Sequence, residues 1–444
     1  MPSILANFTI PLVGIVDTAI VGHLSDAAAI GGIAIGTMLF DLLYWNFGFL
    51  RISTSGLTAQ AFGKGERLKV KGERLKVKGE RIPPECGKIL TQSVSIALIG
   101  ALFVWAIQWL FVTAVLAVVP CSPEVAEVAR SYFFVRIWAA PATLSLMALK
   151  GWFIGMQDAK SAMAVDIVVN VINMAASYYL AVYTPLGIVG VAWGTLIAQY
   201  SGLILAALIV VMGYGLRVTG YGKEVLRWSE LRHMMALNGN LFIRSLCFMV
   251  VYVGFTSLAS RYGDTELAVS SIIMKLFMFF SYFVDGFAYA GEALVGKTIG
   301  ESKVESPKVL TSTPIKVESV VRALFYWAIG VGLAFTVIYA AWGQDCIALM
   351  TNDATILAAA KKYMGWLIAM PIVSALAFMW DGIYVGATAG VPIRNAMIWA
   401  AVGFVLLYVA TYRWVGVQAL YIAYFAHLIA RVIYLSVKWK KLRI

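Results

Sequence analysis

One acidic side chain, Asp17, lies well inside the first apolar stretch of the chain, and no basic residue is near it in sequence. A charge at the centre of a membrane helix costs about 2.5 to 3.5 kcal/mol, so an acid there indicates a functional site. Because burial disfavours the ionised form, we expect Asp17 to bind and release a proton in the physiological range. The structural alternative is an acid that stays protonated and hydrogen-bonds a neighbouring helix. Pro11, six residues earlier, removes a backbone hydrogen bond and permits a bend beside the acid.

Four neutral polar side chains in two later apolar stretches are candidates for a polar site in the same half of the chain: Asn170, Asn173, Ser177 and Thr195. Asn173 and Ser177 are four residues apart and therefore share one face of a helix. Together the four residues supply amide and hydroxyl groups without adding charge. The structural alternative is hydrogen bonding between helices, which is worth about 0.6 kcal/mol per contact in membranes.

A second group of ionisable side chains lies in apolar stretches further along the chain: Lys150, Asp285, Glu292 and Asp381. Asp285 and Glu292 are seven residues apart, which is two turns along one helix face, and they form a candidate second acid site. Lys150 and Asp381 have opposite charges at positions that an internal repeat relates. They are candidates for an ion pair between the two halves, or each pairs within its own half.

Membrane helices must position these residues. The 444-residue chain is 61% hydrophobic and 13% charged, far from the composition of soluble domains. Spanning the hydrocarbon takes about 20 apolar residues. Twelve stretches meet this requirement: 4–24, 28–62, 88–118, 125–155, 162–182, 187–213, 235–260, 265–297, 320–343, 355–386, 394–412 and 415–437. The sequence therefore predicts an all-α integral membrane protein with twelve transmembrane spans.

Lysine and arginine are concentrated in alternate loops. The segments after even-numbered spans, with the final tail, hold nearly all loop Lys and Arg, whereas the other loops hold only Arg261 and Arg413. By the positive-inside rule, both termini are cytoplasmic. The net charge of +12 therefore indicates contact with anionic membrane lipids and not with nucleic acid. We expect no metal centre or cofactor, because the four cysteines lack metal-ligand spacing.

The two halves of the chain repeat one design. Matching residues lie 231 positions apart: Tyr132 with Tyr363, Gly151 with Gly382 and Gly155 with Gly386. Six spans per half give both repeats the same orientation, related by an axis along the membrane normal. We therefore expect an N-lobe at 1–213, a cytoplasmic linker at 214–234 and a C-lobe at 235–444.

Five segments carry a resemblance to a known family: PLVGIVDTAIVGHL around Asp17, STSGLTAQAFG at the end of span 2, GWFIGMQDAK after span 4, NVIN in span 5 and GIVGVAWGT at the start of span 6. The first two segments together are specific to that family. With them the chain resembles the MATE (multidrug and toxic compound extrusion) transporters, most closely their DinF branch. The resemblance implies a monomeric inner-membrane antiporter of two six-helix lobes arranged as a V. It also implies export of small organic molecules in exchange for protons or sodium.

The resemblance implies roles for single residues as well. The acid of span 1, matching Asp17, is the usual coupling residue of the N-lobe, and Asn173 and Thr195 match its polar partners. Family members often have an acid where this chain has Ser177. One carboxylate fewer argues against a tight sodium site, which requires several hard oxygens. We therefore expect proton coupling through Asp17, with sodium coupling as the alternative.

Other classes of function fit the sequence less well. No G-x-x-x-x-G-K-[ST] segment is present, which argues against an ATP-driven pump contained in this chain. A flippase for lipid-linked precursors is an alternative, although it would require a strongly cationic central cavity, and the cationic residues concentrate in loops. A membrane enzyme would need clustered acids, histidines or metal ligands, and the three histidines are scattered.

Overall fold

The computed structural model describes residues 27–70, 82–119, 121–215, 226–304, 313–351 and 353–442. Within these ranges the chain is helical and contains no strand. Eleven helical segments of the described residues are long and apolar enough to cross a membrane, and they correspond to predicted spans 2 to 12. This confirms the all-α membrane fold. Predicted span 1, with Pro11 and Asp17, lies outside the described residues.

The chain divides into two compact units, Met1–Met234 and Met235–Ile444. This boundary coincides with the end of the predicted linker at 214–234. The described helices of the first unit are α1 (Ala27–Trp45), α2 (Phe49–Val70), α3 (Pro84–Val118), α4 (Pro123–Arg136), α5 (Ala140–Gly155), α6 (Ala159–Val182) and α7 (Ile188–Leu208), which continues as a π-helical turn, Ile209–Gly213.

The next helix, α8 (Trp228–Ala259), begins inside the predicted linker and runs across the boundary. The further described helices of the second unit are α9 (Asp264–Ser302), α10 (Thr313–Ala348), α11 (Ala354–Ala360), α12 (Met364–Gly386), α13 (Gly390–Val415) and α14 (Gln418–Trp439). Each predicted span from 2 to 12 therefore has its helix or helix pair.

Predicted spans 4 and 10 are each interrupted by a 3-10 turn, at Ile137–Ala139 and Lys361–Tyr363. Pro141 explains the first interruption, because proline has no backbone N–H to donate to the carbonyl four residues earlier. That carbonyl belongs to Ile137, and it accepts hydrogen bonds from the backbone N–H of Ala140 and from Trp105 Nε1, the latter at 3.1 Å. The apolar pattern alone predicted continuous spans, because it carries no information about a partner such as Trp105 that is distant in sequence.

Two pairs of glycines allow very close helix packing at equivalent places in the two units. A Cβ at Gly155 would lie 2.7 Å from the carbonyl oxygen of Ser55 on α2, and a Cβ at Gly386 would lie 2.7 Å from that of Glu292 on α9. Gly151 and Gly382, one turn earlier, face the backbones of the same two helices. Only glycine fits such an approach without moving a backbone, so the repeat seen in the sequence is a repeat of packing.

The turns after these glycines also match. Gln157 has φ of 62° and Thr388 has φ of 54°, a left-handed conformation that non-glycine residues rarely adopt. The two residues are 231 positions apart, which is the spacing found between the glycines. Each residue follows a helix that packs with glycine and precedes the next span, so both halves make the same tight hairpin.

Aromatic side chains form part of the core of the first unit, between α1 and α4. Phe40 of α1 stacks on Phe133 of α4 with ring centroids 4.8 Å apart, and Tyr132 meets Phe40 edge-on. All three are buried. Many other large apolar side chains are exposed on the helices, as expected where lipid covers them.

Candidate functional site

The predicted polar residues of spans 5 and 6 meet between α6 and α7. Asn173 Nδ2 donates a hydrogen bond to Thr195 Oγ1 at 3.0 Å, and Thr195 Oγ1 donates to the carbonyl oxygen of Val191 at 3.2 Å. Ser177 Oγ donates to the same carbonyl at 3.4 Å. Asn173, Ser177 and Thr195 are all buried. The structure therefore brings three of the four predicted residues into one polar cluster.

Small residues on α7 permit this close contact. A Cβ at Gly190 would lie 2.7 Å from the carbonyl oxygen of Leu180, and one at Gly194 would overlap Ser177. Short separation between helix axes lets short polar side chains reach each other, a packing mode that is common in membrane helices. Asn170, the fourth predicted residue, lies one turn before Asn173 on α6 and is half-buried.

One oxygen of the cluster is left without a partner. Within the described part of the chain, Asn173 Oδ1 is buried and accepts no hydrogen bond. A buried acceptor in this state is costly unless a donor or a cation reaches it. The amide oxygen can therefore accept from a protonated side chain, a water molecule or a substrate donor, or it can contribute one ligand to a cation.

Lys150 and Asp381, related by the repeat, each have a partner within their own unit. Lys150 on α5 forms an ion pair with Asp166 on α6. Asp381 on α12 forms ion pairs with Arg244 on α8 at 2.5 Å and with Arg431 on α14 at 2.6 Å. The structure therefore shows the alternative in which each residue pairs inside its own lobe.

The predicted acids of span 8 lie on α9. Glu292 is 3% exposed and Asp285 is half-buried. Two turns separate them, so they lie on one face of the helix. Glu292 is close to the glycine contact between α9 and α12, since its carbonyl oxygen faces Gly386.

Asp158, outside the membrane spans, ties three helices together at one end of the first unit. It is the N-cap of α6, and its Oδ1 accepts from the backbone N–H of Ser161 at 3.1 Å. Its Oδ2 accepts from the hydroxyl of Tyr214, just after the π-turn, at 2.6 Å. Tyr214 packs edge-on against Trp152 of α5. Partial burial acts to raise the pKa of Asp158, but the hydrogen bonds from Ser161 and Tyr214 outweigh it and hold the pKa below its ordinary value.

We expect Asp158→Ala to destabilise the protein by about 1 kcal/mol at neutral pH, because α6 loses its N-cap. The lowered pKa means that the ionised carboxylate stabilises the fold above the ordinary aspartate pKa, about 3.9, and that this contribution is lost as the pH falls through the folded value. Thermal unfolding in detergent should therefore show a difference between wild type and variant that is full at pH 7 and shrinks below pH of about 4. Asp158→Asn is the control, since it keeps the capping oxygen. A loss of the same size in both variants would show that the cap contributes nothing.

The sequence offered only indirect signals for several of these partners. No pattern singled out Asp166, but it and Lys150 are nearly equidistant from the hairpin turn at Gln157, which places them at one level on adjacent helices. Arg244 and Arg431 are distant from Asp381 in sequence, and no spacing rule connects them.

Comparison with known proteins supplies the family. The family model described as MatE matches residues 2–73, 78–179 and 241–412. The chain is also 32% identical to DNA damage-inducible protein F of Escherichia coli (strain K12) over 444 residues, which are 99% of this chain and 90% of that protein. The chain belongs to the MATE family. Members of this family are transporters and not enzymes.

More distant relatives agree with this MATE assignment. Multidrug and toxin extrusion protein 2 of Mus musculus is 24% identical over 403 residues, 87% of this chain and 62% of that protein. One similar solved structure is described as the outward-facing conformation of a multidrug resistance MATE family transporter. Its TM-score is 0.81 at 16% sequence identity, and the match covers 100% of this chain and 95% of that chain. At this identity the likeness shows the fold of a multi-pass MATE protein.

Proposed function

We propose that this MATE protein exports small organic compounds across the bacterial inner membrane in exchange for protons, with Asp17 as the group that binds and releases the proton. The observation that carries the proposal is family membership over nearly the whole chain, together with an acid in the segment where MATE transporters have their coupling residue. Asp17 lies outside the described residues, so the argument for it is chemical. A carboxyl group within an apolar membrane span lowers the stability of the inserted protein, and such residues therefore usually have a function.

The neutral cluster of Asn173, Ser177 and Thr195 supports proton coupling over sodium coupling. A tight cation site requires several hard oxygens, usually with carboxylates among them. The cluster contains no carboxylate: the hydroxyls of Ser177 and Thr195 donate to the carbonyl oxygen of Val191, and Asn173 Oδ1 is a buried amide oxygen without a partner. One amide oxygen suits a hydrogen bond from a protonated acid. Sodium coupling is the second candidate, because the same oxygen could also act as one ligand to sodium beside Asp17.

Two lobes of six spans suit alternating access, in which a central site opens to each side in turn. We assign the N-lobe to 1–213, the linker to 214–234 and the C-lobe to 235–444, with both termini cytoplasmic because the basic loops then face inward. One proton charge that moves down 100 mV releases about 2.3 kcal/mol, enough to hold a roughly 50-fold gradient of an uncharged solute.

Transport in proteoliposomes tests the proposal. Protein is reconstituted in neutral lipid, and a proton gradient and a sodium gradient are imposed separately while uptake of a panel of organic cations, anions and neutral compounds is recorded. We expect at least one compound to be transported with the proton gradient alone. Transport that requires sodium at fixed pH would favour the second candidate, and no transport of any compound under either gradient would contradict the proposal.

A further inference from the structure

A cluster of charged side chains inside the second unit carries more positive than negative charge. Arg244 on α8 and Arg431 on α14 each donate from Nη2 to one oxygen, Oδ2 of Asp381 on α12, at 2.5 and 2.6 Å. Two guanidinium groups therefore share one carboxylate. The three side chains, which we call the Asp381 cluster, keep one net positive charge.

This net charge is largely buried. The Arg431 side chain is 2% exposed, Asp381 9% and Arg244 17%. A buried charge without a counter-charge is strongly unfavourable in a protein interior, and more so in a membrane. Arginine does not lose its proton in proteins, so the cluster cannot become neutral by itself.

Unused hydrogen-bonding atoms border the cluster. Within the residues that the structure describes, Arg431 Nη1 and Arg244 Nε are buried and have no hydrogen-bond partner. Arginine nitrogens only donate hydrogen bonds, and the missing partner must therefore be an acceptor. Buried water could accept these bonds, but it could not balance the charge.

We propose that Arg244 and Arg431 form a binding site for the carboxylate of a small organic anion. A carboxylate supplies both the missing negative charge and acceptor oxygens, and its planar geometry matches the guanidinium fork. Arg244, the most exposed member of the cluster, is the group that the anion reaches first.

An aromatic ring beside the cluster suits the apolar body of such an anion. The guanidinium of Arg431 lies over Phe378, 5.8 Å from the ring centroid, and Phe378 is half-buried. Ligand sites commonly combine apolar walls with a few polar groups that fix orientation. The inference deepens the proposed function and rests on it in one respect, namely that the anion is exported cargo.

Equilibrium binding tests the site without any gradient. The purified full-length protein in phosphatidylcholine nanodiscs is titrated with 1-naphthoate, and with the neutral 1-naphthamide of nearly the same shape, by calorimetry. We expect 1-naphthoate to bind at least about tenfold more tightly than the amide, since a charged hydrogen-bonded pair contributes that much. Equal binding, or none by the wild type, would overturn the proposal and leave water as the partner.

Two substitutions shift the charge of the cluster in opposite directions. Arg244→Gln leaves one arginine and one carboxylate, so the charge is balanced and 1-naphthoate binding should weaken about tenfold or more. Asp381→Asn leaves two arginines unbalanced, so 1-naphthoate should bind more tightly and should raise the melting temperature more than in wild type. If the Asp381 cluster only stabilised the fold, both variants would bind 1-naphthoate more weakly than the wild type. If Asp381→Asn does not fold, Arg244→Gln and the naphthoate-to-naphthamide ratio decide the question.

A further experiment tests whether the bound anion is exported cargo or a lipid headgroup. Replacing part of the lipid with anionic phosphatidylglycerol should leave naphthoate binding unchanged, and a competitive loss would assign the site to a lipid headgroup and overturn its assignment to cargo.

The anion site and the proposed export function can fail separately. Asp17→Asn should still bind 1-naphthoate. If naphthoate binds through Arg244 but is not transported, export of this anion fails while the site stands. If it is transported equally well by Arg244→Gln, the site fails while the proposed function stands.

Discussion

Asp17→Asn is expected to reduce proton-driven export to the level of liposomes without protein. Asparagine has nearly the same size and can still hydrogen-bond, but it cannot bind and release a proton. If uptake of the proton by Asp17 is the step that alternates with cargo binding, the variant retains its fold and loses the energetic link. The measurement is uptake of the best-transported compound into proteoliposomes under an imposed proton gradient.

A second aspartate serves as the matched control for this variant. Asp264→Asn changes an exposed carboxylate at the start of α9, and we expect it to transport as wild type does. Equal amounts of folded protein in the liposomes exclude an effect of expression. Undiminished proton-driven export by Asp17→Asn would place coupling elsewhere, with Asp285 and Glu292 on α9 the next acids to substitute.

Gly386→Ala and Gly155→Ala are expected to destabilise the protein by about 1 to 3 kcal/mol each. The new Cβ would lie 2.7 Å from a backbone carbonyl oxygen, of Glu292 in one case and of Ser55 in the other. A flexible side chain could turn away from such a contact, whereas here two helix backbones must separate. We expect a clear fall in the temperature at which each variant aggregates after heating in detergent.

Gly403→Ala on α13 is the matched control for the glycine variants. Nothing lies within 4 Å of the Cβ that it would add. Because alanine favours a helix over glycine by up to about 1 kcal/mol, this substitution should leave stability unchanged or raise it. The same chemical change is therefore predicted to lower stability at position 386 and not to lower it at position 403. Equal melting temperatures for the two variants would contradict the close packing of α9 and α12.

The fold was predictable because its main signals are local. Runs of apolar residues mark each span, and the repeated glycines mark where helices approach most closely. The pairing of Asn173 with Thr195 also had a local basis, since both are eleven residues from Thr184 in the turn between their helices. Residues equally distant from a tight turn lie at one level on the two helices it connects.

Long-range partners were not predictable in the same way. Asp381 finds Arg244 and Arg431 on helices distant in sequence, and the repeat instead drew attention to Lys150. A repeat relates equivalent backbone positions, but it carries no information about side chains that differ between the copies. The 3-10 turn at Ile137–Ala139 was missed for a related reason, because Trp105, which accommodates Pro141, belongs to another span.

Proton release on cargo binding tests the central claim most directly. The purified protein in weakly buffered solution is mixed with the compound that it transports best, and the change in pH is recorded with an indicator dye. If cargo and proton compete through Asp17, the wild type should release protons on binding and Asp17→Asn should bind the cargo and release none. Equal release by both proteins would show that the proton leaves from another group and would contradict the account.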